Sequence, residues 1–166
     1  MARNNRRELQ KIGEEKEFDQ TIIEIARVTR VTAGGKRMRF RACVVIGDRK
    51  GQVGMAIRKG ADVSIAVNKA VNAARKNLIR VNIINDTVGH RIIEKFGAAV
   101  VLLKPAPKGA GIIAGGPVRA VISLAGIKNI SSKMMGSKNK INNVMATLNA
   151  LIKLRDEKNI IEQRKQ

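Results

Sequence analysis

Apolar and polar positions first alternate with a period of two. Ile23, Ile25 and Val31 share one parity of a strand that starts near Thr21. Ala33-Gly34-Gly35-Lys36 then reads as a turn, because paired glycines supply the positive φ that a tight hairpin needs. The returning segment alternates Met38, Phe40 and Ala42 with Arg37, Arg39 and Arg41, which predicts a core face and an opposite, arginine-bearing face. Val44 to Ile46 runs into a second turn, Gly47-Asp48-Arg49-Lys50-Gly51, and a third strand is expected over residues 52–57. The period then changes to a helical one over residues 62–78, where Val63, Ala66, Val67, Ala70, Val71, Ala74 and Leu78 form one stripe. Asp62 at its start and Arg75, Lys76 and Arg80 at its end suit the helix dipole.

The second half predicts strands at residues 81–84, 91–95 and 99–104, the last apolar on both faces as a central strand should be. Pro105 and Pro107 stop it. A glycine-rich loop, Gly109 to Gly116, leads to Pro117 at a helix start, with Val118, Val121, Ile122 and Ala125 as the stripe and Gly126 as the stop. A further helix over residues 140–154 buries Ile141, Val144, Leu148, Leu151 and Ile152. The pattern predicts an α+β protein. A polar arm (1–17) precedes a three-stranded antiparallel sheet with a packed helix (18–81), then a two-layer βα domain (82–155) and a charged tail (156–166).

Charge changes the picture most. The 166 residues carry 33 Lys plus Arg against 13 Asp plus Glu, a net +20, which calls for a polyanionic partner. No apolar run approaches the roughly 18 residues needed to span a bilayer, and the arginine-rich start lacks the apolar stretch of a secretory signal. Cys43 is the only cysteine, so there is no internal disulfide, and the reading is of a cytoplasmic protein with a buried, inert thiol. With no Trp, no Tyr and only Phe18, Phe40 and Phe96, the chain cannot build the aromatic platforms on which single strands stack. That favours contacts to the phosphates and riboses of folded nucleic acid.

Catalysis has little to work with. From Lys95 to Arg155 there are ten Lys or Arg and no Asp or Glu, so no carboxylate pair or magnesium ligand arises there. His90 is the sole histidine and cannot make a zinc site alone. Gly109-Ala110-Gly111-Ile112-Ile113-Ala114 matches a dinucleotide fingerprint, but the acid expected about 20 residues on is missing. A packing loop is the plainer reading, with the helix start at Gly116-Pro117 as a place for an RNA phosphate. The sequence predicts no enzyme, no cofactor and no metal.

Residues 25–60 carry ten basic side chains against the single acid Asp48. Arg27, Arg30, Lys36, Arg37, Arg39 and Arg41 lie near the first turn, Arg49 and Lys50 at the second, and Arg58 and Lys59 where the third strand enters the helix. A merely solubilising surface would intersperse acids, and arginine's planar fork suits phosphate oxygens. Further on, Lys104, Lys108, Arg119, Lys128, Lys133, Lys138 and Lys140 are expected mostly in loops beside glycines.

Ordered motifs sharpen this. Gly34-Gly35, Val45-Ile46-Gly47-Asp48 and Gly51-Gln52-Val53-Gly54 in the first half resemble the small-subunit ribosomal protein five family. So do Leu103-Lys104-Pro105-Ala106, the run Gly109 to Gly116, Arg119-Ala120-Val121, Ala125-Gly126-Ile127 and Asn142-Asn143-Val144, in the family's order. The resemblance implies a first domain similar to a double-stranded-RNA-binding domain and a C-terminal βα domain. It implies small-subunit rRNA as partner, a place joining head to body beside proteins four and eight near the messenger RNA entrance, and a part in decoding accuracy. It also implies that the hairpin with Gly34 and Gly35 reaches into rRNA near the spectinomycin site. Ala56 and Arg58 stand where the family usually has glycine, Ser64 where it has proline, Met38 an aromatic and Ser123 an acid. A free-standing, non-specific RNA binder or RNA chaperone is the alternative.

Overall fold

The computed structural model describes residues 18–163, with side chains through Leu154; the polar arm predicted for residues 1–17 lies outside the described residues. The chain builds two sheets. The first takes β1 (Asp19–Thr32), β2 (Gly35–Gly47), β3 (Gln52–Gly60) and, after helix α1 (Val63–Ala74) and a 3-10 turn (Arg75–Asn77), β4 (Leu78–Arg80). All neighbours are antiparallel in the order β1-β2-β3-β4. The second half supplies β5 (Ile92–Phe96), β6 (Ala99–Pro105), β7 (Ile112–Ile113), α2 (Gly116–Ala125), β8 (Ile130–Gly136) and α3 (Lys140–Gln163), with sheet order β5-β6-β8-β7.

The α+β class follows from these elements, and the differences from expectation have local causes. The first sheet has four strands, not three. The helix stops at Ala74 instead of Leu78, because Leu78 turns back to pair with Gly54. Residues 81–84, expected as a strand of the second half, follow β4 as a connection; the Val81 amide donates to the Gly51 carbonyl at 2.7 Å. Ile23 and Ile25 do not share a face. The β1–β2 register slips between Ile22 and Glu24, so the bulge sends Ile23 toward one core while Ile25 pairs with Ala42 on the other side. Strand β8 has no clean alternation and no strong β-formers beyond Ile130, and pattern reading misses it. Helix α3 continues through Gln163, where a tail was expected from residue 156.

Both faces of the first sheet are buried near its middle. Ala42, Val44, Ile46 and Ala56 pack under Ala66, Ala70 and Ala74 of α1. The alanine stripe lets the helix sit close: a Cβ on Gly60 would meet the Ala66 amide nitrogen at 2.6 Å, and one on Gly54 the Ala74 carbonyl at 2.8 Å. Asp62 caps α1, accepting from the Val63 amide at 2.7 Å and the Ser64 hydroxyl at 2.9 Å. On the other face Cys43, Val45, Val53 and Met55 join Val101, Leu103, Val121, Ile122, Leu148 and Leu151 in one core shared by both halves. The second sheet carries α2 and α3 on this inner side only.

Candidate nucleic-acid interface

β3 leaves the first sheet where Phe40 pairs with Gly60, but β1 and β2 run on together to Thr32 and Gly35. The last third of the hairpin is therefore a two-stranded ribbon standing clear of α1 and β3. Met38, expected on the core face, is 52% exposed, and Val31 at the tip is 74% exposed. The ribbon has outrun the helix that would have covered them. At the turn only Gly35 takes a positive φ, +143°; Gly34 does not, so the paired glycines are not both required by backbone conformation.

Register places the cations. Arg37, Arg39 and Arg41 share the face of Cys43 and Val45, the face that the second half covers further along the strand. Arg37 stands directly opposite Arg30, and Arg41 directly opposite Lys59 on β3. Like charges paired across strands are destabilising in isolation. No carboxylate among the described residues forms an ion pair with any of these five. Val28, Thr29, Arg30, Arg37, Arg39 and Lys59 line a groove of 500 Å³ along this side. Arg27, Lys36 and Arg58 project from the opposite face, opposite Phe40, Val31 and Ala42 respectively. The hairpin thus carries arginine on both sides around an exposed tip, an arrangement in which many guanidinium groups reach a polyanion at once.

The second turn is a different thing. It lies at the far end of β2 from Gly35, roughly 40 Å away at the usual strand rise. Its backbone is docked on α2: the Arg49 amide donates to the Leu124 carbonyl at 2.9 Å and the Gly51 amide to that of Ala125 at 3.0 Å. Asp48 folds the turn by accepting from the Lys50 and Gln52 amides at 2.7 and 2.9 Å. Arg49 is held to Asp19 at 2.7 Å. Lys50 is exposed beside it. The two basic turns are not brought together.

The remaining cations are also scattered. Lys104 lies on β6 and Lys133 on β8, not in loops, and both occupy the outer face of the second sheet. Lys108 immediately precedes the glycine-rich loop, Arg119 is on the exposed side of α2, and Lys138 lies just before α3. The glycine-rich loop is held by hydrogen bonds and not by the close packing expected of its glycines: space is open beside Gly109 and Gly111, which instead take positive φ. Asn129, 7% exposed, accepts with its Oδ1 from the Gly109 amide at 3.0 Å and the Gly111 amide at 3.1 Å. Those amides are occupied, and Ile112–Ile113 pairs parallel with β8 before the helix begins. A pyrophosphate has no cradle there. Asn129 was not visible in the sequence; it lies 18 to 20 residues from the amides it holds.

Cys43 is 1% exposed. Burial pushes its thiol up to about 11, Glu24 across the strand adds to the rise, and Arg41 opposes it. A thiol held this far from ionisation is a poor nucleophile.

Residues 18–82 match the family description "Ribosomal protein S5, N-terminal domain", and residues 94–164 match "Ribosomal protein S5, C-terminal domain". The chain is 47% identical over 148 residues to "Small ribosomal subunit protein uS5" of Thermotoga maritima, covering 89% of this chain and 83% of the relative. It is 48% identical over 148 residues to the protein of that name from Thermotoga neapolitana, with the same coverage. With both halves matched in order and nearly half the residues identical, this chain belongs to the ribosomal protein S5 family.

Proposed function

We propose that the protein is a structural, non-enzymatic constituent of the small ribosomal subunit in the cytoplasm, gripping rRNA with the β1–β2 hairpin. The observation that carries this is the register of Arg30 with Arg37 on the ribbon and of Arg41 with Lys59 at its base, with no carboxylate ion-paired to them among the described residues. Bound phosphates turn that repulsion into attraction. Family membership supplies the partner: the relatives' printed name places them in the small subunit. On this reading Lys104, Lys108, Arg119, Lys133 and Lys138 are secondary contacts. Residues 18–81 and 82–155 act as two functional units, joining head to body beside proteins four and eight near the messenger entrance and supporting decoding accuracy.

The test replaces Arg37, Arg39 and Arg41 together with alanine. Arg37 and Arg39 are exposed and Arg41 is half-buried, so far-ultraviolet circular dichroism should be unchanged. Affinity for small-subunit rRNA should fall, and the slope of log affinity against log salt should drop by about 1 per arginine lost. An unaltered slope would remove these side chains from the interface. The free-standing chaperone reading predicts that the chain washes off small subunits at moderate salt; a constituent stays through sedimentation.

A further inference from the structure

Where the chain enters β1, a cleft of 780 Å³ opens beside α1. Phe18, Asp19 and Gln20 line it from the strand, and Asn68, Asn72 and Arg75 line it from the helix and the turn that follows. Arg75 is the unsettled group. Its Nε is buried without a hydrogen-bond partner, and its guanidinium joins no ion pair among the described residues. Asp19, the acid of the cleft, is already held by Arg49 at 2.7 Å. A buried guanidinium N–H without an acceptor costs free energy, and a carboxylate or phosphate oxygen is its strongest acceptor.

The neutral groups of the cleft choose between those two. Gln20, Asn68 and Asn72 are carboxamides, each a donor and an acceptor. A phosphate only accepts and would leave three carboxamide oxygens idle, whereas a peptide segment bearing a carboxylate uses both halves. The chain holds such a segment beside the cleft. Glu14-Glu15-Lys16-Glu17 puts three of the 13 Asp and Glu into four positions and ends at Phe18. From Val63 to Asn77, by contrast, the charged residues are Lys69, Arg75 and Lys76, all cationic. Even Glu14 lies within about 14 Å of Phe18 at full extension. A tether this short supplies an effective concentration on the order of mM.

We propose that residues 14–17 of this chain dock in the cleft beside α1, with a glutamate carboxylate accepting from the Nε of Arg75. The carboxamides of Gln20, Asn68 and Asn72 then take backbone N–H and C=O groups of the docked segment. Seated there, the glutamates offset Lys69, Arg75 and Lys76, and the β1–β2 hairpin is left as the end of this half that draws polyanions. The contact is internal to the chain and stands apart from the rRNA reading of the hairpin.

The experiment places a benzophenone photocrosslinker at Asn68 of the full chain or, in a second protein, at Asn72, so that each leaves the other carboxamide in place. The purified protein is irradiated and the adduct mapped by mass spectrometry. The expected result is an adduct within one chain to residues 14–17. Replacing Glu14, Glu15 and Glu17 together with lysine should cut its yield about fivefold or more by placing like charges together, while aspartate at the same three positions leaves it intact. Arg75→Gln should lower the yield comparably. Should that variant unfold, the glutamate variants, which leave residues 18–154 unchanged, decide alone. A yield indifferent to the lysine variant would show proximity through the tether only and overturn the proposal. No adduct, an adduct to a second copy of the chain, or one to bound RNA would each overturn it as well.

Discussion

Asn129 holds two backbone amides of the glycine-rich loop with a single oxygen while almost wholly buried. Its own amide and that of Lys128 donate to the Asp86 carbonyl at 3.0 Å each, and Lys128 pairs with the Asp86 carboxylate at 3.2 Å. The loop, the Asp86 turn and the start of β8 are therefore one hydrogen-bonded unit. Asn129→Ala leaves two amide donors without their acceptor, and should cost about 1–3 kcal/mol in a urea unfolding titration. A loss below a few tenths would show that water substitutes for the side chain. Asp62 and Gly126 act on amides and carbonyls within a few residues of themselves, so the sequence could place Asp62 at the start of α1 and Gly126 as the stop of α2. The role of Asn129 was not legible, because its partners are distant in sequence and adjacent only after folding.

At the scale of elements, the hairpin shows what alternation can and cannot say. The period-two pattern separates arginines from apolar residues correctly on β2, and Ala42, Val44 and Ile46 do face α1. The pattern does not show where cover ends. Met38 continues the same face as Ile46, but only Ile46 lies under the helix; its exposure is 0%. Met38→Ala should therefore change stability by less than about 0.5 kcal/mol, whereas Ile46→Ala should cost about 2–5 kcal/mol. Equal costs in chemical denaturation would place Met38 in a core. Gly54 and Gly60 explain the close seat of α1, and Ala56 fits beneath that helix because the facing residues are alanines. Arg58 projects into solvent near the end of β3.

For the molecule as a whole, the junction decides the behaviour. The core that joins Cys43, Val45, Val53 and Met55 to Val121, Ile122 and Leu148 ties the halves together, and the second turn locks onto the end of α2. Gly47 sits where any Cβ would overlap the Leu124 carbonyl, and Gly126 where one would overlap the Arg49 carbonyl. Gly47→Ala should lower the melting temperature of the whole chain by several degrees, at about 2–4 °C per kcal/mol for a protein of this size. Both halves should still melt in one transition. Two separated transitions in the parent protein would mean that the shared core does not couple them.

The sequence by itself determined the α+β class, the start of α1 and the stop of α2 at Gly126, the absence of an aromatic platform, and an excess of cations without acids around the first turn. Each of these depends on composition or on residues a few positions apart, where chain geometry alone sets the periodicity. Only the tertiary structure decided which cations meet. Arg37 faces Arg30, and Arg41 faces Lys59, because strand register sets them there; the second basic turn went to the opposite end of β2 and became part of the junction. Lys104 and Lys133, expected in loops, lie on the outer face of the second sheet. Strand pairing and helix cover are long-range events, and no local pattern in the chain encodes where a covering element stops.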